Sequence, residues 1–237
     1  MKELEDYHWF PPFLRNFQTE FIGFVVTTFN FYGVFIRYLK NSNLPKQPMF
    51  DLCSGSGEPA ITIFKKSDCF DKLILTDKYP QQLVLNDSEI IYLPDHIDVL
   101  DLKFQQGTCY TMFNAFHHFT DEEKLNIVNR IHEAGAVGFF VEILQPRIDY
   151  LLKVLISTTI GTLLFAPFTK PFSITRLFFT YIVPVNILTI TFDGVVSVFK
   201  SRSVRQYRKL FLNSQNPVKV FDLKNGLSPI VVIRIQR

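Results

Sequence analysis

The stretch MFDLCSGSGEPAITIF, residues 49–64, passes from an apolar run through an acid, a cysteine and two glycines into a second apolar run. The first run is typical of a buried strand, and the second predicts a helix with Pro59 in its first turn, where a missing N–H costs nothing. Gly55 and Gly57 allow a ligand to approach the backbone closely, and the start of the helix offers free N–H groups. The stretch therefore predicts a strand–loop–helix unit that binds a nucleotide-like ligand.

Around this stretch, short apolar runs alternate with helical patterns between residues 48 and 145, which predicts βαβ units and a parallel sheet. One helix is expected after Thr120, which forms a capping box with Glu123, and Gly135 can end it. The Asn-Gly pair at 225–226 predicts a hairpin between the last two strands. The predicted strands are 48–52, 72–77, 96–100, 110–116, 136–144, 218–223 and 229–235.

The remaining segments are predicted to be helical. Ser203 and Gln206 form a second capping box. Three sixteen-residue runs carry no charge, namely 21–36, 154–169 and 177–192. Each is shorter than the roughly 20 residues that span a bilayer, so we expect a buried insertion or lid, with membrane docking and true spanning as alternatives. The expected single domain, 1–237, comprises a helical cap (1–47), a core (48–145), a hydrophobic helical insertion (146–200) and a C-terminal helix with hairpin (201–237).

Composition narrows the class of protein. The 26 phenylalanines raise the prospect of an apolar ligand pocket or a membrane-facing surface. The three cysteines form no CxxC pair and have no histidine at zinc spacing, so neither a disulfide framework nor a metal site is predicted. Residues 194–237 hold nine Lys/Arg against one Asp/Glu, which indicates a solvated helix face or contact with an anionic surface. We expect a cytoplasmic protein, or one peripheral to a membrane, and no nucleic-acid partner.

Two further acids sharpen the ligand prediction. Asp77 ends the second predicted strand, 22 residues after Gly55, where a carboxylate can accept hydrogen bonds from ribose hydroxyls. Asp98 lies at the third predicted strand, where the edge of an adenine would be recognised. The glycines alone are weak evidence, because GSGEPA also matches the dinucleotide pattern GxGxxA. An NAD(P)-dependent oxidoreductase is therefore an alternative.

With these residues in place, the sequence resembles the class I, Rossmann-like, S-adenosylmethionine (SAM)-dependent methyltransferases. DLCSGSG is similar to the family's D-x-G-x-G-x-G loop, with Cys53 where the first glycine usually stands; LTDKYP resembles its ribose-binding strand end and IDVLD its adenine-side acid. TMFNAFHHF resembles the corresponding segment of a bacterial subgroup of small-molecule methyltransferases. The resemblance implies a seven-stranded, mostly parallel sheet with an antiparallel C-terminal hairpin, and SAM as cofactor. The implied cofactor-binding residues are Asp51, Cys53, Gly55, Gly57, Asp77, Lys78, Asp98, Val99, Asn114 and Phe116.

Methyl transfer is an in-line displacement, so most catalysis comes from holding donor and acceptor in line. His117 or His118 would act as general base if the acceptor must lose a proton, or would simply cap a turn. Glu142, inside the fifth strand, would orient substrate or pair with a base. Asp193 is expected at a turn or at the acceptor site. We expect a small hydrophobic or lipid-like acceptor, with a non-catalytic SAM-binding or scaffold protein as the alternative.

Overall fold

The computed structural model describes residues 2–83, 85–212, 217–224, 226 and 228–236. Its described strands are β1 Gln47–Leu52, β2 Phe70–Asp77, β3 Ile90–His96, β4 Cys109–Phe113, β5 Val137–Glu142, β6 Val218–Leu223 and β7 Ile230–Ile235. They form one sheet in the order β3-β2-β1-β4-β5-β7-β6, in which β7 runs antiparallel to both of its neighbours. The predicted fold class is confirmed, including the antiparallel last strand.

Nine α-helices surround the sheet in the described part of the chain. They are α1 Pro12–Thr28, α2 Gly33–Lys40, α3 Ala60–Ser67, α4 Asp121–Glu133, α5 Ile148–Ile156, α6 Thr162–Phe165, α7 Ile174–Tyr181, α8 Val185–Lys200 and α9 Val204–Phe211. A π-helical segment, Ser157–Gly161, joins α5 to α6, and short 3₁₀ turns cover Leu4–Asp6 and Phe116–His118. The predicted helical character of 1–47 and 146–200 is confirmed.

Apolar residues cover both faces of the sheet, as a parallel sheet requires. On one face, α2 and α3 pack against β1, β2 and β5 in a core that includes Phe35 and Phe139. On the other face, α4 and α9 pack through residues such as Ile127 and Tyr207. Every residue of β4 is buried. The sheet is thus fixed from both sides, and its strand ends are held in place.

The local signals at two helix starts and one helix end are confirmed. The Thr120 side chain accepts from the Glu123 N–H, and the Glu123 side chain accepts from the Thr120 N–H. The same reciprocal pair joins Ser203 and Gln206. Gly135 follows α4 with φ +64°, in the left-handed region that favours glycine.

One predicted strand is wrong. The expected strand 96–100 is instead a turn, and β3 covers Ile90–His96 at the sheet edge. Pro94 lies within β3, which an edge strand tolerates because one side needs no ladder hydrogen bond. Pro59 directly precedes α3 instead of lying in its first turn. The predicted turn residue Asn225 lies outside the described residues.

The insertion 146–200 exposes much of its apolar surface. It carries sixteen of the twenty-three exposed large apolar side chains in the described chain, so burial does not account for its outer face. The helical stretch Ile148–Phe165 is long and apolar enough to cross a membrane, with a mean hydropathy of 1.5 and 22% of its residues buried. Two sharply bent helix pairs, α1 with α2 and α7 with α8, would bring the total to three if each pair were one span.

Candidate functional site

The carboxyl ends of β1, β2 and β4 border a cavity of about 480 Å³, here named the strand-end cavity. β2 and β4 lie on opposite sides of β1, so the direction in which strands are added to the sheet reverses at β1. Open α/β sheets bind ligands at such a switch in strand order. Seven predicted cofactor-binding residues line the cavity: Cys53, Gly55, Asp77, Lys78, Asp98, Val99 and Asn114.

The loop that follows β1, Cys53–Gly57, is hydrogen-bonded to the end of β2. Gly55 N donates to Asp77 Oδ2 at 2.8 Å, and the Tyr92 hydroxyl donates to Gly55 O at 3.0 Å. Gly55 has φ +50°, and a Cβ built on it would lie 3.0 Å from the Thr19 side chain. A glycine is therefore required here both for backbone conformation and for space.

Asp77 is held as a hydrogen-bond acceptor at the cavity wall. Its Oδ1 accepts from Tyr79 N at 2.8 Å, while Oδ2 accepts from Gly55 N. Burial raises its pKa above the usual range, although these backbone hydrogen bonds and the Arg15 charge oppose the shift. Each carboxylate oxygen keeps a second lone pair that a ligand hydroxyl can use.

Cys53 occupies the loop position at which the resembling family usually has glycine. Its φ is +56°, a left-handed conformation that costs a non-glycine residue about 1–2 kcal/mol. Burial raises the pKa of its thiol well above the usual value, and the nearby Asp77 and Asp51 charges add to the shift. Cys53 is thus a neutral, weakly polar wall residue, because a thiol with a raised pKa is a poor nucleophile.

Lys78 and Asp98 form an ion pair at the cavity mouth. Lys78 Nζ lies 2.7 Å from Asp98 Oδ2, and Asp98 Oδ1 accepts from Leu100 N at 3.0 Å. Although burial opposes it, the hydrogen bond from Lys78 lowers the pKa of Asp98. Val99 is buried beside the pair. Asp98 keeps its predicted place at the cavity even though its predicted strand does not form.

Four of the predicted site residues line neither the strand-end cavity nor the second cavity, which is described in the next paragraph. Phe116 packs its ring on Phe140 in the core, with ring centroids 4.7 Å apart. The Asp51 carboxylate accepts from Ser54 Oγ at 2.8 Å and Thr111 Oγ1 at 2.6 Å, which ties the loop to β1 and β4. Asp51, Gly57 and Phe116, which the resemblance assigns to the cofactor, do not border the strand-end cavity, whereas Glu142 was predicted to orient substrate or pair with a base. The four are Asp51, Gly57, Phe116 and Glu142.

A second cavity of about 440 Å³, here named the apolar cavity, lies between α1, α5 and α8. Its walls include Phe21, Val25 and Ile190, with Tyr150 and Ser157 on the α5 side. It borders the strand-end cavity directly, because six residues line both: Glu3, Glu5, Ile22, Val26, Asn114 and Ser197. Asn114 has φ +52° and a buried side-chain oxygen with no hydrogen-bond partner among the described residues.

Glu142 holds the 3₁₀ turn Phe116–His118 in place through two contacts. Its Oε1 accepts from Phe116 N at 2.7 Å, and its Oε2 lies 2.7 Å from His117 Nδ1. His117 also lines the strand-end cavity. Of the two roles predicted for Glu142, the geometry matches pairing with a base.

Sequence reasoning missed the acidic N-terminal segment, which reaches the same histidines. His118 Nδ1 lies 2.9 Å from Asp6 Oδ1, and Glu3 is 1% exposed. Asp193 in α8 holds the segment by accepting from Leu4 N at 2.5 Å and Glu5 N at 3.2 Å, so it lies within a helix instead of at a turn.

Electrostatics set the protonation of this cluster. Burial raises the pKa of Glu5 to about 8, with the Glu3 and Asp193 charges adding to the shift. Although burial opposes it, the carboxylates of Glu3 and Asp6 raise the pKa of His118 to about 9. His118 therefore carries a proton on both nitrogens at neutral pH, which makes it a poor general base.

Comparisons with known proteins bear on the fold. No protein-family model and no curated protein sequence matches the chain. Human N-acetylserotonin methyltransferase, solved with SAM, aligns with a TM-score of 0.52 and 14% identity over 90% of this chain and 55% of that one. The plantazolicin methyltransferase BpumL, solved with S-adenosylhomocysteine (SAH), aligns with a TM-score of 0.52 and 10% identity over 95% and 84%.

The pyocyanin biosynthetic protein PhzM aligns with a TM-score of 0.50 and 10% identity over 86% of this chain and 54% of that one. The chain thus spans about half the length of PhzM and of the human enzyme. These likenesses are at the level of the fold. The chain has the Rossmann-like fold of SAM-dependent methyltransferases, as the sequence resemblance implies.

Proposed function

We propose that this protein is a SAM-dependent methyltransferase that acts on a small hydrophobic or lipid-like acceptor. The observation that carries the proposal is the junction of two cavities of unlike lining. The strand-end cavity offers the polar groups of a nucleoside site, and the apolar cavity opens from it at Asn114. A donor in the first and an acceptor in the second would meet at that wall, as an in-line transfer needs.

The cofactor half of the proposal rests on the strand ends. Asp77 would accept hydrogen bonds from the ribose hydroxyls, Asp98 and Val99 would contact the adenine, and the Gly55 loop would border the methionine portion. SAM supplies the activated methyl group. The SAM or SAH present in two of the structural neighbours supports this choice of cofactor. The antiparallel β7 supports a methyltransferase over the alternative oxidoreductase, because plain dinucleotide-binding folds lack that strand.

Calorimetric titration with SAM and SAH tests the cofactor half. We expect Asp77→Asn to weaken SAM binding about 10- to 100-fold, the effect of losing a hydrogen bond to a charged group. Asp71→Asn is the matched control, because Asp71 lies exposed at the opposite end of the same strand. A wild-type protein that binds neither SAM nor SAH would refute the proposal, and binding of NADH instead would favour the oxidoreductase.

The acceptor half rests on the apolar cavity. Its wall is formed mainly by aliphatic and aromatic side chains, and at about 440 Å³ it lies in the range of small-molecule pockets. The polar residues that it shares with the strand-end cavity are Glu3, Glu5, Asn114 and Ser197. A matching acceptor has an apolar body and a polar group at one end.

The outer face of α5 supports a membrane as the source of that acceptor. Ile148, Leu152 and Ile156 of α5, and Ile160 of the π-helical segment that follows it, are exposed at every fourth residue. Val154 of α5 and Ser157 of the π-helical segment line the apolar cavity. From 150 to 192 the sequence holds no acid, and the exposed Lys170 complements an anionic lipid surface, whereas Lys153 pairs with Asp149 at 3.3 Å. We therefore propose docking on an anionic bilayer.

Liposome flotation tests the docking. The wild type should float with vesicles that contain anionic phosphatidylglycerol, and the double variant Leu152→Glu/Ile156→Glu should not. Ile91→Glu, an exposed apolar position on β3, is the matched control and should float as the wild type does. Flotation that is equal in the wild type and the double variant refutes docking through this face. So does a stable dimer that buries it in solution.

A further inference from the structure

Four side chains from two distant parts of the chain converge at the wall between the two cavities. His118 Nε2 lies 3.4 Å from Glu3 Oε2 and 3.6 Å from Glu5 Oε1, and His117 Nε2 lies 3.8 Å from Glu3 Oε1. The nearest ligand atoms of Glu3, His117 and His118 all lie within 4.8 Å of one another. Both glutamates line both cavities.

These separations fit one metal ion. With bonds of about 2.1 Å, a tetrahedral zinc ion holds neighbouring ligand atoms about 3.4 Å apart. The His118–Glu3 and His117–Glu3 separations of 3.4 and 3.8 Å, each to a different oxygen of Glu3, are close to that edge, and one ligand atom from each of the three residues lies within 4.8 Å of the other two. Two imidazoles with carboxylates suit zinc, iron or manganese, whereas calcium and magnesium prefer oxygen ligands alone.

The far side of each imidazole provides an independent observation. His117 Nδ1 lies 2.7 Å from Glu142, and His118 Nδ1 lies 2.9 Å from Asp6. A carboxylate behind each histidine is the arrangement that orients metal-binding imidazoles and raises their basicity. His117 is 2% exposed, and its Nε2 has no hydrogen-bond partner among the described residues. Such a buried polar atom aimed at a carboxylate is expected to have a partner.

The charge balance also favours a cation. The cluster and its supports hold five carboxylates: Glu3, Glu5, Asp6, Glu142 and Asp193. Lys200 is the ammonium in contact with them, 3.0 Å from Glu3 Oε1 and 3.4 Å from Asp6 Oδ2. Five buried or half-buried acids lie around one lysine and two imidazoles, and a bound cation would offset part of that negative charge.

We propose that Glu3, His117 and His118 bind a divalent transition-metal ion at the junction of the strand-end and apolar cavities, with the fourth tetrahedral position open. Glu142 and Asp6 are positioning residues that act through the imidazoles. The ion faces the wall where the two cavities meet, since both glutamates border both of them.

A role for the ion in substrate choice rests on the proposed methyl transfer. An open coordination position at the junction would bind an oxygen or nitrogen atom of the acceptor and hold it toward the donor. The acceptor class then narrows to apolar molecules with a metal-binding oxygen or nitrogen at one end. Metal binding itself does not depend on that role.

The test is metal binding by the full chain, independent of turnover. Protein stripped with a chelator is titrated with Zn²⁺, Mn²⁺ and Co²⁺, its metal content is measured after dialysis, and the visible spectrum of the Co²⁺ form reports nitrogen ligation. We expect one ion per chain. His117→Ala and Glu3→Gln should each weaken binding at least tenfold, and Glu142→Gln should weaken it about 10- to 100-fold. His8→Ala, an exposed histidine of the N-terminal segment, should bind as the wild type does.

Thermal unfolding and SAM titration of each variant distinguish a lost ligand from a lost fold. Glu3→Gln keeps the shape of the side chain and serves if His117→Ala fails to fold. No binding of any of the three ions, or equal binding by wild type and folded variants, would overturn the metal site and leave the methyltransferase proposal standing. Metal binding without SAM binding would do the reverse.

Discussion

The two cavities share a wall but are constructed in different ways. The strand-end cavity is formed by short loops after three neighbouring strands, and its polar groups are fixed by hydrogen bonds such as that from Gly55 to Asp77. The apolar cavity is formed by helices from opposite ends of the chain, α1 and α8, with α5 between them. The first is a property of the sheet, and the second is a property of tertiary packing. Substitutions should therefore affect the two cavities through different physical terms.

The largest expected effect concerns the buried charge beneath the strand-end cavity. Burial raises the pKa of Asp51 to about 7, although hydrogen bonds from Thr111 and Ser54 oppose the shift. A carboxyl whose folded-state pKa is raised stabilises the fold below the unfolded value near 4 and loses that stabilisation as pH rises through about 7. Relative to Asp51→Asn, the wild-type free energy of unfolding should fall on the order of 4 kcal/mol between pH 4 and pH 8.

Urea unfolding of both proteins across that range measures the difference. Other carboxyls with a raised pKa, such as the half-buried Glu20 at about 7, shift both curves equally and cancel in the comparison. Parallel pH curves for wild type and variant would show that Asp51 titrates normally. The two cavities would then be less different electrostatically than the structure indicates.

The second effect should be confined to the apolar cavity. Ser157→Phe places a ring in the space between α5 and α8, so the acceptor would be displaced while the SAM site is untouched. Displacement of about 1 Å can cost roughly 100-fold, and we expect such a loss in methyl transfer from radiolabelled SAM to a lipid extract. Leu152→Phe, on the exposed face of the same helix, is the control. A parallel loss of SAM affinity would mean that the cavities are not separable.

The smallest effect distinguishes backbone strain from ligand contact in the glycine loop. Gly55→Ala and Gly107→Ala both place a side chain at positive φ, +50° and +75°, and should lower thermal stability, with the larger loss at Gly55, where the new Cβ would lie 3.0 Å from the Thr19 side chain. Only Gly55→Ala should weaken SAM binding, by about tenfold, since Gly55 borders the cavity. No atom of the described residues lies within 4 Å of a Cβ built at Gly107. Unchanged SAM affinity in Gly55→Ala would place the cofactor elsewhere.

The sequence was informative where local chemistry decides structure. The capping pair Thr120–Glu123 depends on residues three apart, and the loop from Cys53 to Gly57 depends on its own glycines and on the strand before it. Asp77 was also found, because the carboxyl end of a parallel strand has a fixed place in the sheet. Even so, spacing does not give side-chain direction, which is why Phe116 was assigned to the cavity although it lies in the core.

The rest depended on contacts between residues far apart in the chain. Glu3 meets His117 across more than one hundred residues, and the N-terminal acids carry no local pattern that predicts such a meeting. Glu142 showed a weak signal, an acid inside an apolar strand, but its partner could not be named from sequence. The outer face of α5 was likewise ambiguous, because uncharged runs look alike whether they are buried or exposed.

Asn114, at the wall common to both cavities, has a thermodynamic consequence. A ligand on either side would contact the same buried amide, whose oxygen is without a hydrogen-bond partner among the described residues. By thermodynamic linkage, if the first ligand changes the affinity for the second by some factor, the second changes the affinity for the first by the same factor. If both ligands compete for this amide, the affinity for SAM will change when the acceptor is present, and that change would identify the acceptor before any turnover is detected.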